Sequence, residues 1–154
     1  MAATKSQRLL PVKQRYDSEE RSALQELAAF QRKRQEQQAQ MASLKKFRAD
    51  YFAKNQETQS NINIRQLLNY RHYISQINQA IDEQAQLINK IDQELEQKQR
   101  SWQRAKQRAQ SLTRVIQAAL DDENKLVMQR EQKTMDERAA RRKKGRFSGI
   151  DTAY

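Results

Sequence analysis

Residues that could perform chemistry are few and scattered in this sequence. His72 is the only histidine, cysteine is absent, and the only glycines are Gly145 and Gly149. These residues supply no metal-ligand set, no catalytic triad, no glycine-rich phosphate loop and no paired-carboxylate cleft. His72 stands between Arg71 and Tyr73, away from the apolar stripe described below, and is interpreted as a solvated surface residue. We therefore predict a protein that is not an enzyme and has no cofactor, metal or small-molecule substrate.

One cluster of charge remains as a candidate binding site, and we call it the basic end. Because 30 Lys and Arg outnumber 19 Asp and Glu, the chain carries a net charge of +11, which favours an anionic partner. Nucleic-acid modules normally add stacking aromatics or a reading helix, and the aromatics lie elsewhere. A solvated helix end, whose cations complement the helix dipole, is therefore favoured over nucleic-acid binding, and an acidic protein surface stays open. The basic end comprises Arg138, Arg141, Arg142, Lys143, Lys144 and Arg146.

The composition predicts long helices as the elements that carry these residues. No glycine or proline occurs between Val12 and Lys144, so the interior lacks the two strongest helix breakers. An apolar content of 36% is too low for a compact core but sufficient for a narrow stripe between helices. No apolar run approaches the roughly 20 residues needed to span a bilayer, and residues 1–16 contain no signal-peptide core. We predict a cytoplasmic protein.

A repeat of apolar residues at alternating steps of three and four runs from Leu67 to Leu126, and we call it the seam. An apolar repeat of 3.5 residues sustained this long is typical of a helix in a left-handed coiled coil. Polar residues interrupt it only at Gln84, Lys98 and Glu123, where they either fix the register or are simply tolerated. The positions are Leu67, Tyr70, Ile74, Ile77, Ile81, Gln84, Ile88, Ile91, Leu95, Lys98, Trp102, Ala105, Ala109, Leu112, Ile116, Ala119, Glu123 and Leu126.

A second, less regular stripe precedes it and predicts the partner helix. A competing register would place Leu24 and Phe52 on the seam instead. Pro11 is tolerable in a first helical turn, so residues 1–11 are predicted to be frayed. The favoured seam positions are Ala23, Leu27, Phe30, Arg34, Gln37, Met41, Leu44, Arg48 and Tyr51.

The segment 58–63 is the predicted turn between the helices, with Ser60 or Asn63 as the N-cap of the second helix. A connection this short makes the helices antiparallel. The predicted fold is all-α, a long antiparallel two-helix coiled-coil hairpin with an overhanging second helix. Its single coiled-coil domain covers 12–144, with helix one at 12–57, helix two at 64–144 and a flexible tail at 145–154.

Unequal helix lengths predict the overhang. Helix two should extend about 35 residues beyond its partner, from near Ser111, because each residue adds about 1.5 Å. Either this segment binds another protein, or the N-terminal residues pack on it through Leu9, Leu10 and Tyr16.

A wider apolar surface is predicted beside the seam, near the turn. A two-helix coil buries only a narrow stripe, so large residues flanking it should be left as a patch. Such a patch favours a partner site over a merely broad seam. By spacing alone it contains Phe47, Tyr51, Tyr73, Ile77 and Ala80.

Two segments outside the seam pattern resemble the flagellar export protein FliJ family. The sequence NYRHYISQINQAIDEQ at 69–84 is similar to the start of that family's second helix, where N-Y-x-x-aromatic-I leads into A-I-x-x-Q. The sequence ENKLVMQREQKTMDERAARR at 123–142 resembles the family's closing run. Trp102 with Lys106 and Arg108 also fits the pattern.

The resemblance implies a component of the bacterial flagellar type III export apparatus. It implies a coiled-coil stalk that inserts into the hexameric export ATPase FliI, contacts the export-gate protein FlhA and helps recycle export chaperones. Such a protein would lie at the cytoplasmic face of the inner membrane, held there through its partners.

The resemblance also implies a gate-contacting surface. On this chain the surface falls on Gln40, Leu44, Phe47, Tyr51, Tyr73, Ile77, Ala80 and Gln84. Three alternatives stay open at this point: the equivalent stalk of a virulence secretion system, a basic nucleic-acid-associated coiled coil, and a structural homodimer or tetramer.

Overall fold

Two long helices make up the computed structural model, which describes residues 2–57 and 63–148. The first, α1, spans Lys5–Glu57, and the second, α2, spans Ile64–Ser148. None of the described residues belongs to a strand, and the two helices pack against each other, which confirms the all-α hairpin. The contacts divide the chain into two units, residues 18–106 and residues 1–17 with 107–154.

The predicted seam is the buried face of both helices. Every predicted seam position of α2 from Tyr70 to Glu123 is buried or half-buried, and only the outermost positions, Leu67 and Leu126, are exposed. All nine favoured positions of α1 are likewise covered. Leu24 and Phe52, which led the competing register, are 46% and 51% exposed. The favoured register of α1 is therefore confirmed.

Polar contacts across the seam of residues 18–106 show that the helices run antiparallel. Gln84 donates its side-chain amide to Gln37, at 2.9 Å to the backbone carbonyl and 2.6 Å to Oε1. This pair can form in only one register. Gln84 therefore helps to fix the register and is not merely tolerated at its seam position. The other cross-helix pairs are Glu26 with Lys98 at 3.0 Å, Arg34 with Asp92, and Arg48 with Asn78 at 3.0 Å.

The prediction that residues 1–11 are frayed is wrong for the described part, because α1 begins at Lys5. Thr4 and Gln7 form a reciprocal capping box: the Gln7 N–H donates to Thr4 Oγ1 at 3.3 Å, and the Thr4 N–H donates to Gln7 Oε1 at 3.1 Å. Pro11 therefore lies inside the helix and not in its first turn.

Glu123 holds the start of α1 in place. The backbone N–H of Ser6 donates to Glu123 Oε1 at 3.1 Å, and the Ser6 hydroxyl donates to Oε2 at 2.7 Å. Ser6 is only 4% exposed. These bonds from Ser6, first the backbone bond and then the hydroxyl bond, lower the pKa of Glu123 from its ordinary value of 4.5. The third polar seam position is thus a carboxylate at a helix N-terminus, where negative charge is favoured.

The earlier start of α1 shortens the predicted overhang. Residues 1–17 form one unit with the α2 segment beyond Lys106. This agrees with the alternative in which the N-terminal residues pack on that segment. In this unit Ile116 and Ala119 are each 6% exposed and Leu112 is half-buried. The unpaired part of α2 therefore begins after Glu123 and not near Ser111. Leu9 and Tyr16 are half-buried as expected, whereas Leu10 is 47% exposed.

The start of α2 agrees with the prediction, and its end lies four residues later than predicted. Asn63 is the N-cap: its Oδ1 accepts the Gln66 N–H at 2.9 Å, and Gln66 Oε1 accepts the Asn63 N–H at 3.4 Å. Helix α2 continues through Gly145 to Ser148 because one glycine lowers helix propensity without preventing it. Residues 58–62 of the predicted turn, with Ser60, and residues 149–154 of the predicted tail lie outside the described residues.

Replacing a buried seam residue should cost far more stability than replacing an exposed neighbour. Ile91 is 2% exposed, so Ile91→Ala should lower the free energy of unfolding by about 2–5 kcal/mol, because it removes buried apolar atoms and leaves a cavity. Leu87→Ala, at a residue 39% exposed, should cost less than about 1 kcal/mol. Urea unfolding followed by circular dichroism measures both, and equal losses would contradict the assigned seam.

Removing the Glu123 carboxylate, or protonating it, should loosen the start of α1. Since its pKa is lowered in the folded protein, its contribution is present above the ordinary pKa and is lost as the pH falls through the folded pKa. Glu123→Gln should therefore speed amide exchange at residues 5–9 at pH 6, and its difference from the unaltered chain should shrink as the pH falls through the folded pKa of Glu123. Glu131→Gln, at an exposed carboxylate of the same helix, should change nothing. Equal exchange by Glu123→Gln and the unaltered chain at pH 6 would rule out this role.

Candidate functional site

An aromatic cluster forms near the N-terminal end of α2, where both helices contribute rings. Tyr51 lies at its centre, with its ring centroid 4.6 Å from Tyr73 and 5.5 Å from Tyr70, the latter stacked. Phe47 lies 6.2 Å from Tyr73 and 6.5 Å from Tyr51. These separations are typical of favourable ring pairs. The cluster joins three residues of the predicted patch and adds Tyr70, which the sequence had indicated only as a seam residue.

The outer rings of the cluster are accessible to a partner. Phe47 is 47% exposed and Tyr73 is 39% exposed, whereas Tyr51 and Tyr70 are half-buried beneath them. The inner rings therefore fix the positions of the outer ones. Large, rigid side chains held in this way lose little conformational entropy on binding, which suits them to anchor a protein contact.

A shallow depression on α1 extends the cluster away from the turn. Two predicted residues, Gln40 and Leu44, line it together with Phe47, and Gln40 is exposed. Ala39 and Ser43 complete the lining, and sequence reasoning missed both. Small residues give no apolar signal in a sequence, but here they lower one side of the helix so that Phe47 stands above it.

The remaining predicted patch residues have supporting positions. Ile77 is 7% exposed and belongs to the core beneath the patch. Ala80 is half-buried, and the half-buried Gln84 has its amide committed to Gln37. The surface that another protein could touch is therefore Gln40, Phe47 and Tyr73, with partial access to Leu44 and Tyr51. We call these five residues the aromatic patch.

The basic end lies on the unpaired part of α2, and all six of its cations are exposed. Each residue from Asn124 to Arg146 is exposed, including Leu126 at 54% and Met135 at 64%. The predicted flexible tail does not separate it from the helix, since Arg146 is still helical. This segment presents apolar and cationic side chains on one helix with no α1 residue opposite.

The side chains among the described residues that could bind a metal ion are His72 and the Asp and Glu carboxylates. Across residues 2–57 and 63–148, no three His, Asp or Glu side chains come together as a metal site. His72 is exposed, with its Nε2 3.2 Å from the Gln76 amide nitrogen, in agreement with its interpretation as a surface residue. Neither described helix contains a stretch long and apolar enough to cross a membrane.

Comparison with known proteins identifies one family. The family model described as Flagellar FliJ protein matches residues 5–146. The match covers all of α1 and α2 as far as Arg146, so it includes the basic end. No curated protein matches the chain, and no solved structure matches it.

Proposed function

The chain belongs to the family of flagellar FliJ proteins, and from this premise we propose that it is a stalk that links the export ATPase to the export gate. Membership makes it a component of the flagellar type III export apparatus, within a family of non-enzymatic export components. The proposal adds the partners: the hexameric ATPase FliI at the basic end, the gate protein FlhA at the aromatic patch, and the export chaperones that the protein helps to recycle.

The observation that carries the proposal is the exposed aromatic patch supported from below by the seam. The exposed rings of Phe47 and Tyr73 both contact Tyr51, which is stacked on Tyr70. Exposed aromatic anchors of this kind dominate the binding energy of many protein interfaces. The family resemblance independently assigns gate binding to the same residues, so we assign this surface to FlhA.

The basic end is assigned to the ATPase ring. Here α2 continues past α1 as a single helix, and its exposed Leu126, Val127 and Met128 have no α1 residue opposite. A partner that buries such exposed apolar side chains would stabilise this part of the helix. The wall of a ring's central channel is a surface against which such a helix can pack.

A stalk of two unequal helices would regulate the ring by its asymmetry. A ligand shifts an equilibrium only through different contacts with the two states. A single helix end in a sixfold ring cannot contact all six subunits alike, so the stalk favours closure of some subunits over others. Through its two partners the protein would be held at the cytoplasmic face of the inner membrane.

The aromatic patch should be needed for gate binding alone. We expect Phe47→Ala with Tyr73→Ala to weaken FlhA binding about tenfold or more, because about 1.4 kcal/mol is lost for each factor of ten and anchors of this kind exceed it. Helicity and FliI binding should stay near wild type. Titration calorimetry with purified FlhA and FliI gives both affinities.

Phe52→Ala is the matched control, because Phe52 is 51% exposed on the same helix yet lies outside the aromatic patch. This variant should bind FlhA as the unaltered chain does. Equal loss of FlhA and FliI binding in the double variant would mean that the patch only supports the fold.

Addition of the protein should promote assembly of the export ATPase. If the end of α2 binds the assembled ring more tightly than it binds separate FliI subunits, the FliI concentration at half-assembly should fall by about fivefold or more. ATP hydrolysis should rise at the same time. Analytical ultracentrifugation and phosphate release measure the two effects. The Phe47→Ala, Tyr73→Ala variant should act like wild type here. If neither assembly nor hydrolysis changes, the stalk role is excluded.

A further inference from the structure

The seam of α2 stops being apolar after Leu126, close to where α2 passes the start of α1. Steps of three and four continued past Leu126 reach Arg130, Lys133, Glu137, Ala140 and Lys144. Four of these five positions are charged, and all five are exposed. Beyond Leu126 the segment therefore cannot bind a partner by extending the coiled coil that α1 forms with α2, because the later seam positions have no apolar side chain larger than alanine.

The apolar side chains of this segment lie on the other side of the helix. Met128 and Met135 are 68% and 64% exposed and are seven residues apart, which places them on one face. At about 100° per residue, Met128 and Met135 lie on the side of the helix opposite the seam. Met135 lines a shallow depression with Arg138, Ala139 and Arg142. We call Met128 and these four residues the Met–Arg face.

Neither a bilayer nor a nucleic acid fits the Met–Arg face. Helices that lie in a membrane surface need a broad apolar face with Trp, Phe or Leu, and this face offers two methionines and an alanine. Single-stranded nucleic acid needs aromatic rings on which bases stack, and residues 124–146 contain none.

An acidic protein surface does fit. The segment 124–146 carries nine Lys and Arg against three Asp and Glu. Arg138 and Arg142 lie one turn apart beside Met135, and arginine pairs with carboxylates through two parallel hydrogen bonds. Methionine side chains adapt to irregular apolar pockets. The combination calls for a groove with an apolar floor and carboxylates along its edges.

We propose that the Met–Arg face docks into such an acid-edged apolar groove of another protein, with the seam side of the segment left outside the contact. The inference rests on the proposed function, in which this end of α2 enters the ATPase ring, and it names the face that binds and the chemistry of the groove.

Charge reversal on the two sides of the helix tests which side binds. Arg138→Glu with Arg142→Glu alters the Met–Arg face, and Arg130→Glu with Lys133→Glu makes the same change of charge on the seam side, at two exposed residues outside the basic end. We expect the first pair to weaken binding to purified FliI at least tenfold and the second pair to stay within about threefold, at equal helicity. Similar losses from both pairs, or a larger loss from the second, would overturn the proposal.

Site-specific photocrosslinking separates this proposal from the ATPase assignment. A photoreactive amino acid replaces Met135 in one protein and Lys133 in another, in cells that carry the complete export apparatus. The Met135 position should give a protein adduct whose crosslinked peptide is rich in Asp and Glu, and the Lys133 position should give much less. An acidic peptide from a protein other than FliI would support the docking face and reject the ATPase role. No adduct at Met135, equal adducts at both positions, or adducts to lipid or nucleic acid would reject the docking face.

Discussion

Burial of one apolar stripe between two antiparallel helices is the interaction on which the structure depends. A stripe repeated every 3.5 residues stays on the contact face over many turns, whereas a 3.6-residue repeat would drift away from it. Ile77, Ile81 and Ile91 in one unit, and Ala109, Ile116 and Ala119 in the other, are all less than one-tenth exposed. So narrow a core leaves the flanking residues uncovered, which is why both candidate surfaces lie on the outside of the described helices.

Polar residues within the stripe determine how the helices align. Apolar contacts alone allow slippage by a heptad, because one isoleucine is much like the next. Gln84 with Gln37, Lys98 with Glu26 and Arg34 with Asp92 each pair in one register only. These pairs are partly exposed, so each adds little stability, and their main effect is specificity. The register in turn brings Phe47 and Tyr51 of α1 to the height of Tyr73.

The two candidate surfaces arise in different ways. The aromatic patch consists of side chains too large and too numerous for a two-helix seam, and the rings beneath it hold its outer rings. The basic end arises because α2 extends beyond the start of α1. The cations of the basic end therefore lie on a stretch of α2 that α1 does not cover. One surface is rigid and apolar, and the other is charged and exposed on all sides. This difference suits the proposed stalk, whose two partners are unlike.

The sequence by itself determined the helices and the seam of α2, because hydrophobic spacing and the absence of breakers act locally along the chain. For α1 it only favoured one register, and the exposure of Leu24 and Phe52 in the structure excluded the competing one. It also placed Phe47, Tyr51 and Tyr73 together, since antiparallel pairing about a short turn fixes which residues face each other. Only the tertiary structure decided where α1 begins. Pro11 indicated a start near that residue, but Thr4 with Gln7 and the carboxylate of Glu123 hold about two further turns of helix. Glu123 is 117 residues from Ser6 along the chain, so no local pattern could predict their contact.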